Sequence, residues 1–296
     1  MKVTFLGTGA AEGIPALYCR CNFCEQAREN GGKDIRTRSA LRIGDKYQID
    51  LPPETFTQMI NNGIDLYDLE HVFITHSHLD HFQFEILFEK VMAKVNNGKP
   101  VNIYLSEAAW LFNRKLISHF ELRQKDKRIR TLWHWVNINV VKPYDLFKAG
   151  ELEVRVLIGN HEAWGNNEKA LNYLITMPSG SKLLYAVDTG YYDNSNWDYL
   201  REFSLKEKSI DALIMECTFG ARRDRDKYPE SHLDIKSYLL MLEQMKELGV
   251  ISGNTKVYVT HINPHHGMLH NDLESYFKNI SDFDITVAYD GLSIDV

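Results

Sequence analysis

The chain has 296 residues, of which 44% are hydrophobic and 25% charged. That is enough apolar material for a large buried core and far from the composition of a disordered chain. A net charge of −6 argues against a surface built to coat nucleic acid, and no run approaches the roughly 18 apolar residues of a membrane span.

Met1-Lys2-Val3-Thr4-Phe5-Leu6 reads as a first strand cut short by Gly7-Thr8-Gly9, not as the core of a secretion signal, so a cytoplasmic location is expected. Cys19, Cys21 and Cys24 follow in one short loop, within a region spanning 15–38. In that compartment such thiols are metal ligands or buried groups rather than disulfides. Three thiols so close together can wrap one structural zinc ion and need one more ligand to close a tetrahedron. Cys217 sits in a strand-end segment, whereas His265 and His266 come from a loop. His265 is therefore preferred, with His266 as its alternative. Arg36 and Arg38, just after the cysteines, are candidates for contact with phosphate.

Tyr47-Gln48-Ile49 reads as a strand ended by Asp50, a candidate supporting partner. Val72-Phe73-Ile74 reads as another, leading into Thr75-His76-Ser77-His78-Leu79-Asp80-His81. If the extended backbone persists, His76 and His78 share a face, because side chains two apart point the same way. Asp80 and His81 then fall where the chain turns. Four such groups are too closely packed for one conventional site and suit two adjacent cations.

A strand is expected at 101–105 and a helix at 112–130, part of an insert over 106–132. The helix ends in Lys125, Lys127, Arg128 and Arg130, a solvated end or a cover over the site. Leu152, Val154, Val156 and Ile158 alternate with polar residues, the mark of a half-buried strand, and His161 comes just after them. Further strands are expected at 171–177, at 182–187 closed by Asp188, at 212–215, at 257–259 with His261 at its end, and at 285–289. Ile235, Leu239, Leu242 and Met245 place an amphipathic helix over 232–248 that starts at His232. Nothing reads as a repeat or linker, so residues 1–296 are expected to form one domain.

The run His76-x-His78-x-Asp80-His81, followed in order by His161, Asp188 and His261, resembles the metallo-β-lactamase-fold hydrolase superfamily. The likeness runs from Leu6-Gly7-Thr8-Gly9 to the last strands. It implies an α/β fold, a four-layer αββα sandwich of mixed sheets with the site at one edge. It also implies that His76, His78 and His161 hold a first metal, that Asp80, His81 and His261 hold a second, and that Asp188 bridges them. The two divalent cations would be zinc or manganese, with iron a third candidate. Such a pair shares a bridging water and lowers its pKa from about 15.7 toward neutrality. Two dications, two carboxylates and one hydroxide leave about one positive charge, which suits a phosphodiester monoanion.

The segment Gly7-Thr8-Gly9-x-x-Glu12-Gly13-x-Pro15, ahead of the cysteines, is similar to the phosphodiesterases of the carbon–phosphorus lyase pathway. That family acts on cyclic ribose phosphates and pairs a dinuclear site with a zinc held by three Cys and one His. Its zinc His follows the metal His by three positions; here the spacing is four or five, which leaves both His265 and His266 open. A pyrroloquinoline quinone biosynthesis protein has a similar cysteine loop but a degraded dinuclear motif, and the intact motif here points away from it. The resemblance makes His232 the acid that protonates the leaving oxygen and gives Asp80 a catalytic role as a ligand. Arg222, Arg223, Arg225 and Lys227 are candidates for phosphate contact, diluted by Asp224 and Asp226. His71, His119, His134 and His270 read as structural.

The expected function is metal-dependent hydrolysis of a small or cyclic phosphodiester. The tRNA 3′-processing endonucleases share the dinuclear motif, but the acidic charge and the lack of a long basic arm disfavour nucleic acid. Lactone or thioester hydrolysis, or a metal-binding regulatory protein of the same fold, are the other readings. No membrane partner is expected, and a homodimer is admitted.

Overall fold

A computed structural model describes residues 1–93, 95–123, 131–165, 167–222, 224–265 and 268–296, without the side chains of 119–123. Lys125, Lys127, Arg128, Arg130, Arg223, His266 and the side chain of His119 therefore lie outside the described residues.

One sheet contains β1 (Lys2–Gly7), β2 (Ala40–Ile43), β3 (Tyr47–Ile49), β4 (His71–Phe73), β5 (Val101–Leu105) and β6 (Val136–Val140). The other contains β7 (Leu146–Ala149), β8 (Leu152–Ala163), β9 (Glu168–Thr176), β10 (Lys182–Ala186), β11 (Ala212–Glu216), β12 (Lys256–Thr260) and β13 (Asp284–Val287). The last strand, β14 (Ser293–Asp295), crosses back to the first sheet and pairs with β1. Each sheet changes character midway. Strands β14 to β3 pair antiparallel and β3 to β6 parallel. Likewise β7 to β10 pair antiparallel and β10 to β13 parallel.

The sheets face each other across a core of alternating inward residues, among them Phe5, Ile49, Phe73, Val154, Tyr173 and Tyr185. Helices close the outer faces. Asn194–Lys206, Ile235–Glu247 and His270–Phe277 pack on the second sheet, and Leu87–Met92 with Glu107–Arg123 on the first. A sheet buried on both faces needs apolar residues on both, which is why β10 and β11 read Leu-Leu-Tyr-Ala and Ala-Leu-Ile-Met without alternation. This is the expected αββα sandwich. No helix among the described residues is long and apolar enough to cross a membrane.

Some boundaries move, each for a local reason. Strand β8 does not stop before His161 but runs to Ala163, with a register irregularity between Ile158 and Glu162. Four residues of β8 there span two of β9, and such extra residues in a paired strand bend it and re-aim side chains, so His161 faces the site from within a strand rather than after one. The helix expected from 232 begins at Ile235, because Asp234 and Ser237 form a reciprocal capping box that fixes its start. His232 therefore lies in the approach loop. The helix expected over 112–130 is present from Glu107 to Arg123.

The loop after β1 binds that after β12 through Ala10 N–H to the Ile262 carbonyl and Ile262 N–H to the Thr8 carbonyl. Gly7 allows a different close approach, that of the segment before β2: a Cβ there would lie 2.0 Å from the Arg38 carbonyl oxygen. Gly7→Ala is expected to cost about 2–3 kcal/mol through forced overpacking. Urea denaturation checks this, and an unchanged midpoint contradicts it.

Candidate metal centre

Parallel strands deliver their C-terminal ends to one edge, and the candidate residues collect there. Asp50 follows β3, the His76–His81 run follows β4, Asp188 follows β10, Glu216 ends β11 and His261 follows β12. Asp50, Asp188 and His261 all adopt φ near +60° (62°, 53° and 59°). Non-glycine residues rarely do so without over-determined surroundings, and such strain concentrates at functional sites.

The imidazoles and carboxylates form two adjoining groups. In the first, His76 Nε2 lies 2.8 Å from His78 Nδ1, and His161 Nε2 lies 3.3 Å from the same atom. In the second, His81 Nε2 lies 3.1 Å from Asp80 Oδ2 and 2.6 Å from Asp188 Oδ2, with His261 Nε2 3.3 Å from Asp188 Oδ2. Asp188 also approaches the first group, 3.8 Å from His76 Nε2. The expected seven residues are thus brought together, divided three and four, with Asp188 between the sets.

The other ring nitrogens are occupied, which turns the facing nitrogens inward. Asp50 lies 2.7 Å from His81 Nδ1 and accepts from the Thr75 N–H and hydroxyl. Thr75 Oγ1 contacts His76 Nδ1, Thr218 Oγ1 contacts His261 Nδ1, and the Ser231 carbonyl contacts His161 Nδ1. Such outer contacts fix ring orientation around a metal. Among the described residues, Nε2 of His81, Nε2 of His261 and Oδ1 of Asp188 are buried with no hydrogen bond. Buried lone-pair atoms aimed at one another are unfavourable unless a cation lies between them, and this donor set fits zinc, manganese or iron. Without a cation, burial and neighbouring His81 depress the His76 pKa well below the ordinary imidazole range. Burial opposes charge on His81 too, yet Asp80, Asp188 and Asp50 raise it well above that range.

Sequence reading missed two carboxylates. Glu168 is buried and accepts from the Ser77 N–H at 2.7 Å and the Ser77 hydroxyl at 2.5 Å, gripping the loop between His76 and His78. Glu216 is buried behind His232, whose Nδ1 lies 3.1 Å from its Oε2 and 3.2 Å from Asp188 Oδ1. It also accepts from the Thr189 N–H at 2.6 Å and from the Thr218 hydroxyl. Burial disfavours the His232 imidazolium, but Glu216 and Asp188 overcome this and raise its pKa to about 9. The pattern held one signal for Glu216: it closes a strand, as Asp188 and His261 do.

The cavity over the site has a volume of about 300 Å³. Besides His78, Asp80, His161, Asp188, His232 and His261 it is lined by Glu12, Phe219, Asn263 and His265. Glu12 accepts two hydrogen bonds from Asn263 Nδ2, both 2.9 Å.

Nearby, the ligand atoms of Cys19, Cys21 and His265 lie within 4.8 Å of one another. Cys24 is buried beside them; desolvation and the neighbouring Cys19 and Cys21 thiols raise its pKa to about 11. Cys217 is not part of this cluster but sits in the core under the second sheet. Arg36 does not face the cavity: it is buried and bonds to Thr8, the Ala288 carbonyl and His270. Arg38 binds the Ala11 carbonyl and Glu54. Arg222 pairs with Asp224, and Arg225 donates to the His232 carbonyl at 2.6 Å. His71 and His270 are buried in hydrogen-bonded positions and His134 contacts the Thr131 carbonyl, in keeping with structural roles.

Fold and site together define a metal-dependent hydrolase of the metallo-β-lactamase fold. A family model for the beta-lactamase superfamily domain matches residues 51–262, and the chain belongs to that family. Among solved structures it is similar to a diphosphatase from the PhnP family, at 19% identity and a TM-score of 0.71, covering 99% of this chain and 96% of that one. Zinc-bound PqqB from Methylobacterium extorquens is 16% identical, with a TM-score of 0.69 and both chains wholly covered. The short form of human tRNase Z is 18% identical, with a TM-score of 0.61, covering 100% of this chain and 99% of that one. At these identities the likeness is one of fold. An octanoyltransferase from Porphyromonas gingivalis is 36% identical over 85 residues, which are 27% of this chain and 16% of that protein.

Proposed function

We propose that this protein is a phosphodiesterase that hydrolyses a small or cyclic phosphodiester at a two-metal centre. The observation that carries the reading is the division of His76, His78 and His161 from Asp80, His81 and His261, with Asp188 between them and His232 against Asp188. Two bound divalent cations would lower the pKa of a shared water and draw charge from a substrate oxygen. The chain's own residues supply the rest. Glu216 accepts from His232 Nδ1–H, which orients the ring at the wall of the cavity and favours the imidazolium, whose Nε2–H is the proton for a leaving oxygen. With Asp80 and Asp188 as the only carboxylates in the two ligand sets, the loaded site keeps a positive balance that favours an anion. Cys19, Cys21, Cys24 and His265 are assigned to a separate structural zinc, which would brace the cavity wall through His265.

Hydrolysis of a lactone or thioester at the same two ligand sets is the second reading. A panel of cyclic phosphates, linear phosphodiesters, structured RNA, lactones and thioesters, presented to metal-loaded protein, separates the readings. Turnover of cyclic or small phosphodiesters above all others is expected. Thioester cleavage without phosphodiester cleavage overturns the proposal.

A further inference from the structure

Glu12, Asn263 and His265 form a polar part of the cavity lining. His78, also in the lining, packs against Trp164, which is 48% exposed. Trp164 sits just past the end of β8, the strand that carries His161. Its ring lies 5.0 Å from that of His78 at 81°, and stacks on Phe112 of helix Glu107–Arg123 at 5.5 Å and 12°.

A half-exposed indole is a poor choice for a mere loop residue, and this one is held at some cost. Its φ is 56°, a left-handed conformation that bulky side chains rarely adopt. Two ties hold it there: Nε1–H donates to the Ser77 carbonyl at 3.1 Å, and Phe112 backs the ring. Ser77 is the residue between His76 and His78 that Glu168 grips. The indole is thus fixed relative to the candidate ligands rather than to the outer surface, while much of it stays open to solvent.

We infer that Trp164, backed by Phe112, is a specificity residue that packs against a planar ring in the substrate, so that the preferred phosphodiester carries a nucleobase. This rests on the phosphodiesterase reading and narrows it. Rigid aromatic surfaces beside a phosphate-binding centre gain affinity from any base, since every base presents a π-face.

The test compares cyclic adenosine monophosphate with a cyclic glycerol phosphate, which has no base, in wild type, Trp164→Ala and Trp164→Phe. Trp164→Ala is expected to lower kcat/KM for the nucleotide about tenfold or more, mainly through KM, and to change the glycerol substrate less than about threefold. Trp164→Phe should recover most of the loss. Equal losses on both substrates overturn the inference and mark Trp164 as a structural brace.

Calorimetric titration of metal-loaded protein with adenosine monophosphate and with ribose phosphate gives a second readout, independent of turnover. If wild type cleaves no phosphodiester of the panel, the phosphodiesterase reading fails. A selective loss of nucleotide binding in Trp164→Ala still upholds base recognition, whereas equal binding by wild type and variant removes it.

Discussion

Asp188→Ala is expected to lower phosphodiester hydrolysis by about three orders of magnitude or more and to weaken metal binding at the two His/Asp ligand sets. The carboxylate is buried between the two histidine groups, with Oδ2 2.6 Å from His81 Nε2 and 3.3 Å from His261 Nε2. Its Oδ2 also lies 3.8 Å from His76 Nε2 of the first set. Its loss leaves neither cation position fully liganded, and each lost contribution of several kcal/mol to charge stabilisation is several powers of ten in rate. The effect has a signature apart from activity. A cation that binds only the folded state raises the melting temperature, so added zinc should raise that of wild type by more than that of Asp188→Ala, which keeps the separate cysteine site. Equal shifts in both proteins would show that the metal binds elsewhere.

His232→Ala is expected to lower kcat by about 10²- to 10⁴-fold, the usual worth of a positioned acid, while metal content stays at the wild-type level. The argument is geometric first: His232 lines the cavity, contacts Asp188, and is held from behind by Glu216. The pH dependence carries a definite sign. The His232 pKa is raised from its ordinary value to about 9 in the metal-free protein, and adjacent cations act to lower it. Activity that requires the protonated ring is therefore lost as pH rises toward or below about 9. Glu216→Gln removes the partner that favours the imidazolium and should move this alkaline limb to lower pH; His232→Ala should abolish it. Stability is expected to follow the same sign: the contribution of the His232–Glu216 pair in the metal-free protein is complete below about pH 6.5 and declines as pH rises through about 9. An alkaline limb unchanged in Glu216→Gln would remove His232 from the acid role.

Much of this centre was readable from sequence, because sheets impose simple rules. The short apolar runs before the His76–His81 segment, Asp188 and His261 are local properties of strands, but β4 ends at Phe73, so His76 and His78 converge from a loop bent at Ser77 and not through a continued two-residue period. What escaped was what depends on distant partners. A lone Glu in a strand carries no sign of which side chain it will meet, so Glu168 and Glu216 became visible only through Ser77 and His232. The irregularity that aims His161 depends on pairing between β8 and β9. Arg36 and Arg38 looked available for phosphate by composition, yet both spend their hydrogen bonds inside the fold. The helix start was legible in principle, since Asp234-Ile235-Lys236-Ser237 is a capping sequence that outranks a hydrophobic period running past it.

The most direct test is anomalous diffraction from crystals of the zinc-loaded protein. The account predicts two neighbouring peaks, one among His76, His78 and His161 and the other among Asp80, His81 and His261, with the Asp188 carboxylate between them. A further peak belongs at Cys19, Cys21, Cys24 and His265; a fully loaded crystal with density at neither position of the pair would contradict the account.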